Sequence, residues 1–154
     1  MQTDCDVPVR GVCPQRSNDH MSELAVHRAT CSCGQLSVEA HGHPVRVSVC
    51  HCLACQQRTG SAFGYQARFA RERVRVTGSA SEYIRTADSG NRLHFYFCPQ
   101  CGATVHYHLA SAPDIVAIPA GAFADSKFYP PQFSVYESRQ HPWVSISCDA
   151  EHSE

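Results

Sequence analysis

Ten cysteines and ten histidines stand out in a chain of 154 residues. Seven of the cysteines fall into three tight clusters. Cys31-Ser32-Cys33-Gly34 reads C-x-C-G, Cys50-His51-Cys52-Leu53-Ala54-Cys55 reads C-H-C-x-x-C, and Cys98-Pro99-Gln100-Cys101-Gly102 reads C-P-x-C-G. Cysteines at this spacing present their thiols on one side of a tight turn. That suits a tetrahedral zinc ion, with Zn–S near about 2.3 Å. A glycine after the second cysteine permits the left-handed backbone that such a knuckle needs. Gly34 and Gly102 stand at those positions.

Seven thiols divide into four and three. Four thiolates close a tetrahedral site against water, which makes it structural, whereas three leave a position open for chemistry. The two-cysteine motifs pair as Cys31, Cys33, Cys98 and Cys101, and the compact triplet Cys50, Cys52 and Cys55 holds a second zinc alone. The expectation is therefore two zinc ions per chain. Three thiolates and a dication sum to one negative charge. A zinc so held is a weak Lewis acid and favours soft sulfur over making hydroxide from water. The chemistry thus points toward thiol substrates. The competing readings are buried free thiols and thioredoxin-like redox chemistry. The second lacks its setting, because no βαβ pattern surrounds either C-x-x-C.

Other chemistry-bearing residues carry less. His51 lies between two expected ligands, so its ring points away from them and is read as packing or support rather than as a proton carrier. His94, His106 and His108 are read as strand-surface residues. Arg71-Glu72-Arg73-Val74-Arg75 is a solvated strand edge, too short and too poor in aromatics for a nucleic-acid patch.

The elements that must position the thiols are short strands. Gln35 to Glu39 and Val45 to Val49 alternate in polarity, as half-buried strands do. Phe63 to Phe69, Val74 to Val76, Ala103 to Leu109, Ile115 to Ile118 and Phe133 to Tyr136 continue the series. Glu82 to Arg85 and Leu93 to Phe97 flank a stretch of Asp, Ser, Gly and Asn, which predicts a hairpin. Ser111 to Asp114 predicts another turn, and Cys52 to Thr59 one helical turn. The expected architecture is mainly β with little helix.

Length and composition bound the rest. One domain is expected over residues 27–146, with a flexible N-terminal tail over 1–26 and a polar, frayed C-terminal tail over 147–154. Cys5 and Cys13 lie in the first tail and are read as incidental, and Met21 offers an alternative start. Apolar residues make up 43% and charged residues 18%, which excludes a charge-rich disordered chain. A formal net charge of -1 gives no basicity to recruit nucleic acid or a membrane surface. No stretch approaches a membrane helix. The N-terminus has no apolar core of a secretory signal, so a reducing, cytoplasmic setting is expected. The sequence sets no oligomeric state.

Together the motifs resemble a known family. C-x-C-G at Cys31–Gly34, C-H-C-x-x-C-x-x-x-T-G-S-A-F-G at Cys50–Gly64 and F-C-x-x-C-G at Phe97–Gly102 occur in this order. The set is similar to the glutathione-dependent formaldehyde-activating enzymes and their relatives, including centromere protein V. Ser138-Arg139-Gln140-His141-Pro142-Trp143 also resembles that family's S-R-x-x-x-W element. The resemblance implies a β-tent fold of two packed sheets. It implies a structural zinc on Cys31, Cys33, Cys98 and Cys101, and a catalytic zinc on Cys50, Cys52 and Cys55. The implied reaction is that of a carbon–sulfur lyase, the reversible addition of glutathione to formaldehyde. The rival class is a non-catalytic zinc module of the same fold. Arg58, Thr59 and Ser61 follow the triplet. The guanidinium would hold a substrate carboxylate and the hydroxyls the peptide portion, or all three form a solvated, capped turn.

Overall fold

The computed structural model describes residues 25–87 and 90–154. The expected N-terminal tail, with Cys5, Cys13 and Met21, lies outside the described residues apart from its last two positions. Among the described residues, strands form two sheets. The small sheet has the order β1–β2–β5, from Val26–Thr30 (β1), Ser37–His41 (β2) and Val74–Thr77 (β5). The large sheet begins with Arg46–Cys50 (β3) and Gly64–Ala70 (β4), joined by the helix Leu53–Thr59 (α1). Ser81–Thr86 (β6), Arg92–Phe97 (β7), Thr104–Leu109 (β8) and Ala112–Pro119 (β9) extend it, followed by Phe133–Val135 (β10) and Glu151–Ser153 (β11). Its order is β11–β10–β3–β4–β9–β8–β7–β6. This is the β-tent architecture expected from the sequence.

Alternation explains the packing. Val47 on β3, Ala67 and Phe69 on β4, and Val116 and Ile118 on β9 point toward the small sheet. There they meet Ala29, Leu36, Val38 and Ala40 in one core. Side chains two residues apart share a face, so the neighbours of these core residues face the opposite side. On that side Phe95, Tyr107 and Ala117 form a second, smaller cluster.

Three local expectations differ from the structure. The predicted turn at Ser111 to Asp114 is tighter, because Ala112, Pro113 and Asp114 already belong to β9. Pro113 is tolerated there because pairing of β9 with β4 begins only at Ile115. The C-terminal stretch is polar and exposed as expected, yet it does not fray. Glu151–Ser153 pairs in parallel with β10 and becomes an edge strand. Finally, β1 begins at Val26 and pairs antiparallel with β2, a strand that no clean alternation announces.

Candidate metal centre

Two cysteine clusters stand out, each with its ligand atoms all within 4.8 Å of one another. One is Cys31, Cys33, Cys98 and Cys101, and the other is Cys50, Cys52 and Cys55. These are the four-and-three sets expected from spacing.

The four-thiol set is built at the ends of two strands from different sheets. Cys31 follows β1 of the small sheet and Cys98 follows β7 of the large one. After each first cysteine the chain turns back on itself. The Gly34 N–H donates to the Cys31 carbonyl at 3.0 Å, and the Gly102 N–H donates to the Cys98 carbonyl at 2.9 Å. Both glycines have positive φ, 80° and 74°, which a side chain would disfavour. Thiolates arranged tetrahedrally at about 2.3 Å from zinc lie about 3.8 Å apart. Cys31 and Cys33 sulfurs are 3.5 Å apart, and Cys33 and Cys98 sulfurs are 3.6 Å apart. The spacing fits a metal ion and is far too long for a disulfide.

Backbone and amide donors surround these sulfurs. The Leu36 N–H donates to Cys31 at 3.3 Å and the Gln100 N–H to Cys98 at 3.4 Å. Gln35 Nε2 donates to Cys98 at 3.0 Å, while Gln35 Oε1 accepts from the Ser79 N–H at 3.0 Å. Burial opposes ionisation of Cys98, but Gln35, the backbone N–H groups and Cys33 outweigh it and bring its pKa down to about 6. At Cys33 the Gln35 backbone favours the thiolate, yet the neighbouring thiols and burial prevail and push it up to about 12. Cys33 and Cys98 are thus pulled in opposite directions, and a divalent cation would favour the thiolate at both. Sequence reading missed Gln35, because only the fold brings it to Cys98.

The triplet is local. Cys50 ends β3, and Cys52 precedes α1, which carries Cys55. The Cys55 and Gln56 N–H groups donate to the Cys52 carbonyl at 2.9 and 3.1 Å, which closes the first turn. Cys50 is buried, whereas Cys52 and Cys55 are half-buried. Hydrogen bonding from Cys50 holds Cys55 as a thiolate against the cost of burial. Cys52 and the Arg58 guanidinium assist, and the pKa falls to about 6. The same contact, with burial, pushes Cys50 up. A donor set of three thiols fits a soft cation with a position to spare.

The residues around the triplet take clear parts. His51 is fully buried, with Nε2 at 3.2 Å from Ser134 Oγ and its ring edge-on to Phe63. It supports the turn from behind, in line with its reading as a packing residue. Gln56, which sequence reading passed over, spans three partners. Its Nε2 donates to the His51 carbonyl at 2.7 Å and the Arg139 carbonyl at 3.0 Å, and its Oε1 is 3.0 Å from His141 Nε2. It therefore fastens the segment after β10 onto α1. Thr59 Oγ1 donates to the Cys55 carbonyl at 2.8 Å and accepts from the Ser61 N–H at 3.3 Å, closing the helix end. Ser61 is exposed. The Arg58 guanidinium lies over the rings of Phe95 and Tyr107, at 5.2 and 5.4 Å.

The family description "glutathione-dependent formaldehyde-activating enzyme" matches residues 26–139. The chain belongs to the glutathione-dependent formaldehyde-activating enzyme family. All seven clustered cysteines of this family member fall within the matched span, and Trp143 lies just beyond it. No curated protein matches the chain. Among solved structures, a Rhodobacter sphaeroides protein is similar at 20% identity, with a TM-score of 0.49. That match covers 62% of this chain and 85% of the other. Among the described residues of this family member, no helix is long and apolar enough to cross a membrane.

Proposed function

We propose that the protein is a zinc-dependent carbon–sulfur lyase. It forms and cleaves the S-hydroxymethyl adduct of glutathione with formaldehyde, or of a closely related thiol and aldehyde. The carrying observation is the second cluster, three thiols gathered within 4.8 Å beside a complete four-thiol set. A purely structural module needs only the four.

Cys50, Cys52 and Cys55 would hold the catalytic ion, and Cys31, Cys33, Cys98 and Cys101 the structural one. When bound at the triplet, zinc supplies an open position that stabilises a thiolate at neutral pH. The remaining work belongs to the chain. Cys50 is anchored at the end of β3, so the triplet is fixed to the sheet. His51 anchors the turn to Ser134, and Gln56 ties the helix to the His51 and Arg139 carbonyls and to His141. Arg58 stands beside Cys55 and, with Thr59 and Ser61 at the helix end, borders the approach of the thiol. Eight free cysteines among the described residues suit a reducing, cytoplasmic setting.

Exchange NMR on labelled formaldehyde with glutathione tests the reading. Zinc-loaded protein accelerates interconversion of hydrated formaldehyde and adduct, and Cys52→Ser removes the acceleration while leaving the fold intact. Absence of acceleration with both sites filled refutes the lyase reading.

A further inference from the structure

The face of the large sheet that carries the triplet also carries two arginines without an ion-pair partner among the described residues, Arg46 with its guanidinium 4.0 Å over the Phe133 ring and Arg68. Along β3 and β4 the cross-strand partners are Cys50 with Gly64, Ser48 with Gln66, and Arg46 with Arg68. Val47, Ala67 and Phe69 enter the main core, so alternation turns these three pairs toward α1. Like charges placed directly opposite on neighbouring strands repel. Among the described residues neither arginine joins an ion pair. The Nε atoms of both are buried without a hydrogen-bond partner, and so is Oε1 of Gln66, a residue only 3% exposed. Gln66 Nε2 is committed to Ser48 Oγ at 3.1 Å, which leaves Oε1 as the acceptor.

We propose that Arg46 and Arg68, with Gln66 between them and the thiols, bind the carboxylate end of a peptide thiol. This rests on the lyase reading only in taking the ligand to be the thiol substrate. Two guanidinium groups call for an anion, and a carboxylate matches their fork of donors. The unpartnered Gln66 oxygen calls for an N–H donor, which a peptide supplies and a simple thiol does not. The spacing agrees. Same-face residues on a strand are about 6.7 Å apart, so the arginine pair lies about 13 Å from the Cys50 pair. Side chains reaching back along the sheet leave roughly a two-residue span, about 7 Å.

Further observations join the two ends. Tyr107, Ala117 and Arg68 lie in one cross-strand row. The buried Tyr107 phenol feels the charges of Arg58 and Arg68 together with those of Cys55 and Cys50. Arginines and thiols therefore both lie near this one phenol. A β-carbon at Gly64 would sit 3.3 Å from both Arg58 Nη2 and Gln66 Oε1, so the missing side chain lets both groups approach the sheet there. Burial and Arg68 together lower the pKa of Arg46, while Glu151 offsets this in part.

S-methylglutathione isolates this interaction, because its capped sulfur offers no thiolate. Its affinity for the zinc-loaded protein is measured by titration calorimetry, beside that of its dimethyl ester. Esterification, Arg68→Met and Arg46→Met each weaken binding about tenfold or more, as expected for charge-assisted hydrogen bonds. In each variant the penalty for esterification shrinks. Relief of the repulsion keeps both variants folded, and in Arg46→Met it offsets the lost contact with the Phe133 ring. Should one variant fail to fold, the other variant and the ester comparison carry the test. The proposal is overturned if S-methylglutathione does not bind, or if acid and ester bind alike to the parent protein. It is equally overturned if folded variants bind the acid as the parent does. The lyase reading is judged separately by the exchange rates of the parent protein, so either idea can fail alone.

Discussion

Gly64→Ala separates the triplet from the rest of the molecule. Gly64 does not occupy the left-handed region, so alanine brings no backbone strain. It should even relieve the entropic cost of a strand glycine, about 0.5–1 kcal/mol. The new methyl, however, would lie 3.2 Å from Cys55 Cβ and 3.3 Å from Arg58 Nη2. Carbon atoms prefer about 3.5–4.0 Å, so α1 must move outward by a few tenths of an ångström. Overpacking of this kind costs about 1–3 kcal/mol. The balance is a loss near 1 kcal/mol, which lowers the melting temperature by about 3 °C for a chain of this size. The triplet suffers more, because metal–ligand distances tolerate only about 0.2 Å. Competition with a chromophoric chelator should show the three-thiol metal weakened about tenfold, about 1.4 kcal/mol, with the four-thiol metal unchanged. Thiol–formaldehyde exchange should fall with it. If Gly64→Ala kept the triplet's affinity within about twofold and its exchange rate intact, the close contact at Cys55 would not govern the site.

Two further outcomes follow from the same geometry. Cys98→Ser breaks the join between the sheets. It should lower stability by several kcal/mol in urea denaturation, in contrast to Cys52→Ser, and a parental midpoint would show that the four-thiol metal contributes little. His106 is held down to about 4 by burial and by Arg71. Its unfolded form takes up a proton near about 6.5, so its contribution is complete above that pH and is lost as pH falls toward about 4. The stability difference between parent and His106→Gln should therefore shrink from pH 7 to pH 5, and a constant difference would refute the assignment.

The thiol sets were legible because their ligands announce themselves by type and by local spacing. The triplet spans six consecutive positions, and the four-thiol set is two such turns. Strands such as β3 and β4 were legible because one face is apolar and the other is not. β11 gave no signal, since all of its residues are exposed and it is held by backbone pairing and by the His152–Glu137 contact at 2.6 Å. Pro113 and Asp114 misled, because turn-forming residues are tolerated where a strand lacks one neighbour. Gln35, Gln56, Gln66 and Arg68 were invisible for a common reason. Their partners lie on other elements, and only strand register and loop docking bring them together.

The two metal sites differ in how far the chain must travel to build them. Cys33 and Cys98 are separated by 65 positions, whereas the triplet closes within a single turn and helix start. Loop closure makes the long-range site harder to assemble from an open chain by about 2 kcal/mol. During synthesis the triplet can capture an ion while the chain is still unfolded, but the four-thiol site exists only once the sheets have met. The reverse journey does not retrace it. Cys33 and Cys101 are exposed, whereas Cys50 is buried and Cys52 and Cys55 are half-buried. A chelator added to folded protein therefore reaches the junction thiols directly, and loss of that ion removes a tie between the two sheets.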